Sequence, residues 1–333
     1  MHDVVHRAAW FVLALVALVD MNAAGAQGTA HVSMAVYPTK PVRMIVPLAP
    51  GGGSDIVGRI VALALAERWQ QPVIVDNRPG AGSRVGTSLA ARAAADGYTL
   101  MVSSSSMAIT PALHKNLDFD IRRDFIAVTL IASQPSILAV HPSVPVKSVE
   151  DLVDLAKARP GKLAFGSAGP GSATHLGTEL FKHTAGINIL HVPYKSAGLA
   201  TTALLSGETQ ILLTNMASLL PHVKSGKAKG LGVSSRNRSP LAPELPTIAE
   251  SGLPEFEYAT WYGMLAPAGT SKQVVNRVQA DTTTLIKMPQ NRGRFTGQGL
   301  EVHGTTPAEF ERFLAAEVAK WGNLVRAVGV RVQ

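Results

Sequence analysis

Short apolar runs alternate with segments of helical periodicity through most of the chain. Buried strands of parallel sheets are apolar on both faces, and the segments between the runs are long enough to form the crossover helices that such sheets need. The pattern therefore predicts an α/β fold. The predicted strands are residues 42–46, 73–75, 99–102, 127–131, 137–140, 163–165, 189–192, 211–213 and 231–233.

Several helices are predicted by the residues at their ends. Ser148 followed by Asp151 predicts a capping box, and the Pro-Gly pair at 160–161 ends the helix that it starts. Thr306 followed by Pro307 predicts another helix start. An apolar stripe at helical spacing follows, which favours core packing over a ligand site. The stripe consists of Phe310, Phe313, Leu314, Val318 and Trp321.

Two segments have the character of passages between domains. Residues 133–136, Ser-Gln-Pro-Ser, interrupt two strand-like runs, and residues 257–263 lead into another run. If both segments cross, the middle of the chain is one domain and its two ends together form the other. The predicted division is 37–132 with 265–333 as domain 1 and 133–264 as domain 2.

The first 26 residues have the three-part layout of a signal peptide. Arg7 precedes an apolar stretch at 8–19, and the small-residue site Ala24-Gly25-Ala26 follows before Gln27. Twelve apolar residues are fewer than the roughly 20 that span a bilayer. A buried N-terminal helix or a membrane anchor is the alternative. We expect cleavage near Ala26 and export of the mature chain.

Composition narrows the class of protein. The chain has 333 residues, of which 46% are hydrophobic and 16% charged, and this excludes a disordered chain, a coiled coil or a collagen-like repeat. It has no cysteine, so disulfide scaffolds, cysteine-ligated metal sites and cysteine nucleophiles are excluded. Export without cysteine predicts a bacterial periplasmic protein that is stabilised by a large core.

The formal charge of +8 suggests an acidic partner. Without residues 1–26 the chain keeps 30 basic and 21 acidic side chains, a formal charge of +9. The densest basic segments, 224–229 and 236–238, are short, and aromatic residues make up only 5% of the chain. A nucleic-acid surface normally combines a longer basic stripe with stacking aromatics, so we expect no nucleic acid and favour a small organic anion.

Glycine-rich turns are the most informative motifs. A predicted strand ends at Val46, the turn at 50–55 (Pro-Gly-Gly-Gly-Ser-Asp) follows, and a helix that we expect Ser54 or Asp55 to cap comes next. The turn at 166–172 repeats this arrangement, with Ser172 as the expected N-cap, and 77–83 forms a third turn. Glycine lets the backbone approach a ligand, and a helix N-terminus attracts anions.

Ligands of open α/β sheets bind at the carboxyl ends of the strands. Two such turns in different domains would therefore hold an anionic molecule from both sides of a cleft. Neither turn has the spacing of a nucleotide site, because the phosphate-loop motif is missing and Gly-x-Gly-x-x-Gly is absent after the first strand.

Catalytic motifs are weak. The sequence has no Gly-x-Ser-x-Gly elbow and no His-Glu-x-x-His zinc helix, and its ten histidines lack metal spacing. Ser172 and His175 are the one conceivable nucleophile and base, without a third group. We therefore expect no enzyme, no cofactor and no metal. The serines at 103–106 follow a strand and either line a site or form a plain polar loop.

The order of these motifs resembles the periplasmic substrate-binding receptors of tripartite tricarboxylate transporters, the Bug or TctC-like family. The resemblance covers the whole mature chain. The matching stretches are Tyr-Pro-Thr-Lys-Pro-Val-Arg at 37–43, the turns at 50–55 and 77–82, Asp-Gly-Tyr-Thr-Leu at 96–100, residues 165–172 with His175-Leu176, His-Val-Pro-Tyr-Lys at 191–195, and the segments 221–227, 246–252, 261–263 and 266–270.

The resemblance implies a two-domain periplasmic-binding-protein fold, also called a Venus flytrap, in which each domain is a mostly parallel sheet flanked by helices and two strands cross between the domains. It implies that two turns hold a ligand carboxylate through N–H groups, hydroxyls and waters, so that no buried arginine is needed. The far end of the ligand meets the other implied residues. Together the implied site residues are Pro50, Gly51, Gly52, Gly53, Ser54, Asp55, Ala81, Gly82, Ser83, Ser103, Ser104, Ser105, Ser167, Ala168, Gly169, Gly171, Ser172, His175, Thr214 and Asn215.

The chain departs from the family pattern at three places. Ser196-Ala197 stand where Gly-Gly is usual, Ser83 and Arg84 follow the Gly-Ala-Gly turn in place of a second glycine, and Thr214 replaces a common Asp. The loss of that Asp removes a partner for a ligand amine, so we expect a carboxylate ligand rather than an amino acid.

The resemblance also implies the partners. We expect a monomeric receptor, not itself membrane-spanning, that binds a small organic carboxylate and delivers it to the membrane permease of a tripartite tricarboxylate transporter. Two alternatives are a periplasmic hydrolase or transferase that uses Ser172 and His175, and a ligand sensor that docks on a signalling partner.

Overall fold

The computed structural model describes residues 37–114 and 116–330. The predicted signal peptide lies outside these residues. Contacts divide the chain into two units, 1–39 and 40–333, and the fold below is that of the second unit. Within the described residues no helix has the length and apolarity needed to cross a bilayer.

The predicted α/β fold is confirmed by ten strands and ten helices in the described part of the chain. The strands are β1 Val42–Val46, β2 Val73–Asn77, β3 Thr99–Ser104, β4 Phe125–Val140, β5 Ala164–Ser167, β6 Leu190–Pro193, β7 Ile211–Asn215, β8 Lys229–Val233, β9 Ala259–Pro267 and β10 Glu301–Val302. The helices are α1 Gly53–Trp69, α2 Arg84–Ala91, α3 Ser106–Leu113, α4 Val149–Ala158, α5 Ala173–Ala185, α6 Ala197–Ser206, α7 Met216–Lys224, α8 Lys272–Lys287, α9 Pro289–Thr296 and α10 Pro307–Val328.

The strands form two sheets that share β4. The first has the order β2-β1-β3-β9-β4, with β10 also on β4, and the second has the order β4-β7-β5-β6, with β8 also on β4. Pairing is parallel among β1, β2 and β3 and among β5, β6 and β7. Every pair that involves β4 or β9 is antiparallel. Both sheets are therefore mixed.

The predicted break at 133–136 is wrong, because the runs at 127–131 and 137–140 belong to one strand, β4. Pro135 pairs with Ala259 at the end of the β4–β9 ladder, and Ser136 begins the pairing with β7. Proline cannot donate to a ladder, and it is tolerated here because the strand changes partners at this residue. The predicted domain boundaries fall inside β4 and β9, and they stay a prediction.

Helix α10 covers the core of the first sheet. It starts after Thr306 as predicted, and the side chains of Thr306 and Glu309 form a capping box there. The ring of Trp261 on β9 meets Phe310 and Phe313 of this helix edge-on, at centroid distances of 5.8 and 5.7 Å. The predicted stripe is thus core packing, with Phe310, Leu314 and Trp321 buried and Phe313 and Val318 packed against them.

Candidate functional site

A cleft of about 680 Å³ lies between the helix starts of the two sheets. The first sheet contributes residues 104–106, where β3 leads into α3, and the second contributes residues 170–173, where β5 leads into α5. Thr260 on β9 lies at the crossing between the sheets. The remaining lining residues are Leu48, Gly82, Arg84, Ile109, Thr110, Leu113 and His114.

The start of α5 is built by its own turn. Ser172 caps the helix as predicted, since its Oγ accepts from the backbone N–H of His175 at 3.2 Å and donates to the carbonyl of Gly169 at 2.6 Å. Gly169 and Gly171 have φ of +105° and +75°, which favour glycine. The first N–H groups of a helix have no partner within it, so this end of α5 offers donors and a positive dipole to the cleft.

Two stacked histidines lie beneath this turn. The rings of His175 and His191 are 4.0 Å apart between centroids with an interplanar angle of 13°, and His191 stacks on Phe165. Burial, together with smaller effects of the neighbouring His191 and Lys182, lowers the pKa of His175 to about 4. Burial also lowers the pKa of His191. Both rings are neutral at pH 7, so Nδ1 of His175 accepts from the N–H of Gly171 at 3.0 Å.

The buried His175 predicts a loss of stability in acid. Its pKa is about 4 in the folded protein and 6.5 for an unperturbed histidine, so protonation favours the unfolded chain. Its contribution is complete above pH 6.5 and is lost as the pH falls towards 4, by about 3 kcal/mol at about 1.4 kcal/mol per pH unit. In His175→Asn, which keeps a short polar side chain, we expect a shallower fall of melting temperature between pH 7 and pH 4.

His183→Asn is the matched control, because His183 is exposed on the same helix. The melting temperature of this variant should fall between pH 7 and pH 4 as steeply as that of the wild type. Equal slopes in wild type and His175→Asn would contradict the assignment of the acid sensitivity to His175.

The first glycine turn has a different cap from the expected one. The N-cap is Gly52, so the prediction of Ser54 or Asp55 is wrong. Asp55 lies in the first turn instead, where its Oδ2 accepts from the N–H of Gly51 at 2.9 Å and from Nε of Arg59 at 3.0 Å. Burial acts to raise the pKa of Asp55, but these hydrogen bonds outweigh it and the pKa is lowered.

Several predicted site residues present buried hydroxyls without a hydrogen-bond partner in the described part of the chain. Buried polar atoms are normally paired, so such atoms point to a polar site. Among the described residues, the predicted site residues with an unpaired hydroxyl oxygen are Ser54, Ser83, Ser103 and Thr214. Oδ1 of Asp55 is buried and unpaired as well. Asn215, by contrast, caps α7 by accepting from the N–H of Ser218.

Five of the predicted site residues line the cleft. Gly82, Ser104, Ser105, Gly171 and Ser172 line it together. Most of the other predicted residues are not among its lining. They are Pro50, Gly51, Gly52, Gly53, Ser54, Asp55, Ser83, Ser103, Ser167, Ala168, Gly169, His175, Thr214 and Asn215.

Sequence reasoning missed the basic part of the cleft. Arg84 and His114 line it, and neither was among the predicted site residues. The signal for Arg84 was its place directly after the Gly82-Ser83 turn, where the family pattern has glycine. His114 follows α3 without a motif.

The geometry does not support Ser172 and His175 as a catalytic pair. Ser172 contacts His175 through the backbone N–H, while the imidazole Nδ1 is occupied by Gly171. A nucleophile and its base need a bond between the hydroxyl and the ring. Within the described residues no group of three or more His, Asp or Glu side chains is placed to hold a metal ion.

Two α/β sheets that share a long strand, with a polar cleft between their helix starts, have the fold of the periplasmic binding proteins. Residues 57–330 match the TctC family, described as the tripartite tricarboxylate transporter family receptor. The chain belongs to this family of solute receptors.

Three relatives illustrate the likeness. Protein BugT of Bordetella pertussis is 36% identical over 96% of this chain and 98% of its own length. An R. palustris protein solved with adipate is 33% identical with a TM-score of 0.75, over 89% of this chain and 99% of that one. MatC of Rhodopseudomonas palustris, solved with bound malate, is 27% identical with a TM-score of 0.71, over 87% of this chain and 100% of that one.

Proposed function

We propose that the protein is an extracytoplasmic receptor that binds a small organic carboxylate in this cleft and delivers it to a tripartite tricarboxylate-type transporter. The observation that carries the proposal is the meeting of two helix starts, at Ser106 and Ala173, across one cleft. Each start offers backbone N–H groups and hydroxyls, which suit an anion. The adipate and malate bound by the two R. palustris proteins support this ligand class.

The charge of the cleft favours an acid over an amino acid. Among the described residues that line it, Arg84 is basic and none is Asp or Glu. An α-amino group normally needs a carboxylate or several carbonyl oxygens as partners. The proposed ligand therefore has carboxylates without an amine.

Binding would couple to closure of the cleft. Residues of both sheets line the cleft. Strand β4 belongs to both sheets and connects them, and β9 pairs with it. A ligand that contacts both sheets stabilises the closed form over the open form, whereas the free protein favours the open form. The proposed domains, 37–132 with 265–333 and 133–264, would move as the two lobes.

Location and partner follow from the same proposal. Residues 1–26 would direct export and be removed near Ala26, and the monomeric receptor would meet the permease from the periplasmic side. The family description, a receptor of tripartite tricarboxylate transporters, supports this partner.

The test is a melting-temperature series with mono-, di- and tricarboxylates on protein refolded from denaturant, which removes co-purified ligand. A ligand at 100 times its dissociation constant should stabilise the protein by about 2.7 kcal/mol, whereas the corresponding neutral amides should leave it unchanged. Mass spectrometry of the small molecule released on first denaturation should identify a carboxylic acid. The absence of a shift with every acid would refute the proposal.

A further inference from the structure

Arg84 is placed in the cleft by a tightly built turn. It is the first residue of α2, and it follows a short 3₁₀ turn in which Gly82 has φ of +65° and Ser83 has φ of +82°. The hydroxyl of Thr110 on α3 donates to the carbonyl of Ser106 at 2.7 Å and also lies 3.3 Å from the carbonyl of Gly82, so α3 packs against the turn. A left-handed serine costs conformational energy, so the surrounding structure holds this turn in place.

The guanidinium of Arg84 is only partly satisfied. Its Nη2 donates to the carbonyl of Asn116 at 3.0 Å, while its Nε is buried without a hydrogen-bond partner in the described part of the chain. Arginine has five N–H donors, and leaving a buried charged donor unpaired is costly. The side chain therefore keeps donor capacity for a group that enters the cleft.

An acidic group that interacts electrostatically with Arg84, Asp118, is already engaged. Asp118 accepts from the hydroxyl of Ser88 at 2.5 Å and from Nη2 of Arg92 at 2.8 Å. The bond from Ser88 is the main cause that lowers the pKa of Asp118, and attraction from Arg92 and Arg84 adds less. Arg92 thus pairs directly with this carboxylate, whereas Arg84 interacts with it only at longer range.

The cleft therefore has two separate features that attract anions. One is the N-terminus of α5 at residues 171–173, on the second sheet, and the other is Arg84, on the first sheet. The proposed function needs only one carboxylate at a helix start. On the basis of that function, we infer that Arg84 pairs with a second carboxylate at the other end of the ligand, so that the receptor selects dicarboxylates over monocarboxylates.

The guanidinium suits this role because its planar N–H pairs match the two oxygens of a carboxylate. A ligand with one carboxylate would leave Nε of Arg84 buried and unpaired. Dicarboxylates are thus favoured by the bond that they form with Arg84, and monocarboxylates are disfavoured by the donor that they leave unpaired.

The experiment is isothermal titration of ligand-free protein with straight-chain dicarboxylates from succinate to suberate, each compared with its monomethyl ester. Wild type should bind at least one diacid about tenfold to a hundredfold more tightly than its monoester, as expected for a charge-assisted hydrogen bond. Arg84→Gln should lose this ratio mainly by weakening the diacid. Arg92→Gln, at the C-cap of the same helix, should keep the ratio.

Arg84→Glu separates a binding role from a structural one. This variant should prefer an ω-amino acid, such as 6-aminohexanoate, over adipate, and so reverse the wild-type order. Damage to the fold alone would weaken all ligands together and leave their order unchanged.

The two proposals fail in different ways. If wild type binds diacids and monoesters equally, or if Arg84→Gln weakens both to the same degree, the role of Arg84 is refuted while carboxylate binding stands. If wild type binds no member of either series, the role of Arg84 is refuted, whereas carboxylate binding is refuted only if the melting-temperature series also shows no shift with any acid.

Discussion

Glu317→Leu should lower the free energy of unfolding by about 3 to 5 kcal/mol, because it removes the acceptor for two buried indoles. Oε2 of Glu317 accepts from Nε1 of Trp261 at 2.9 Å and from Nε1 of Trp321 at 3.0 Å. Lys320 also pairs with this carboxylate. Leucine fills a similar volume, so the loss would report the two orphaned donors rather than a cavity. Urea unfolding followed by circular dichroism measures it.

Glu317→Gln is the matched control for this prediction. Its amide oxygen can accept from both indoles, so we expect a loss of only about 1 kcal/mol. Of the two bonds, only that from Trp261 joins β9 to α10, since Trp321 lies on α10 itself. If the leucine variant is as stable as the glutamine variant, the two hydrogen bonds contribute nothing to the stability of the protein.

Gly263→Ala should cost about 3 kcal/mol by overpacking the same interface. A Cβ at this position would overlap the ring of Phe310, which is fully buried. The backbone cannot move away, because Gly263 pairs with Ser103 on one side and with Leu130 on the other. Thermal or urea unfolding would measure the loss.

Two further variants test this explanation. Gly293→Ala, in α9, meets no atom within 4 Å and should raise stability by up to about 1 kcal/mol through helix propensity. Phe310→Leu introduced into Gly263→Ala should recover part of the loss, since it removes the ring that overlaps the new methyl group. Additive losses in the double variant would show that Phe310 is not the cause.

The sequence predicted strands well where an apolar run is bounded by turns. β1 was predicted to its last residue, and β5, β6 and β7 to within two residues. It failed at the crossing, because Pro135 and its polar neighbours have the local signature of a loop. Their strand conformation is imposed by β9, which lies more than 100 residues later in the chain. Local patterns carry no information about such a partner.

Prediction of the site was limited in the same way. The cap at Ser172 and its glycines follow from local turn chemistry and were predicted correctly. Arg84 and His114 line the cleft only because α2 and α3 are brought beside the start of α5 by the fold. A basic residue after a glycine turn suggested a departure from the family pattern, and only the long-range geometry showed that it enters the cleft.

The position of β9 also determines the order in which the chain can fold during synthesis. β9 inserts between β3 and β4, so the first sheet is incomplete until Pro267 has left the ribosome, and α10 covers it only after Val328. Contacts between such distant residues form slowly, and synthesis proceeds from the N-terminus. The nascent N-terminal half therefore has no complete core of its own.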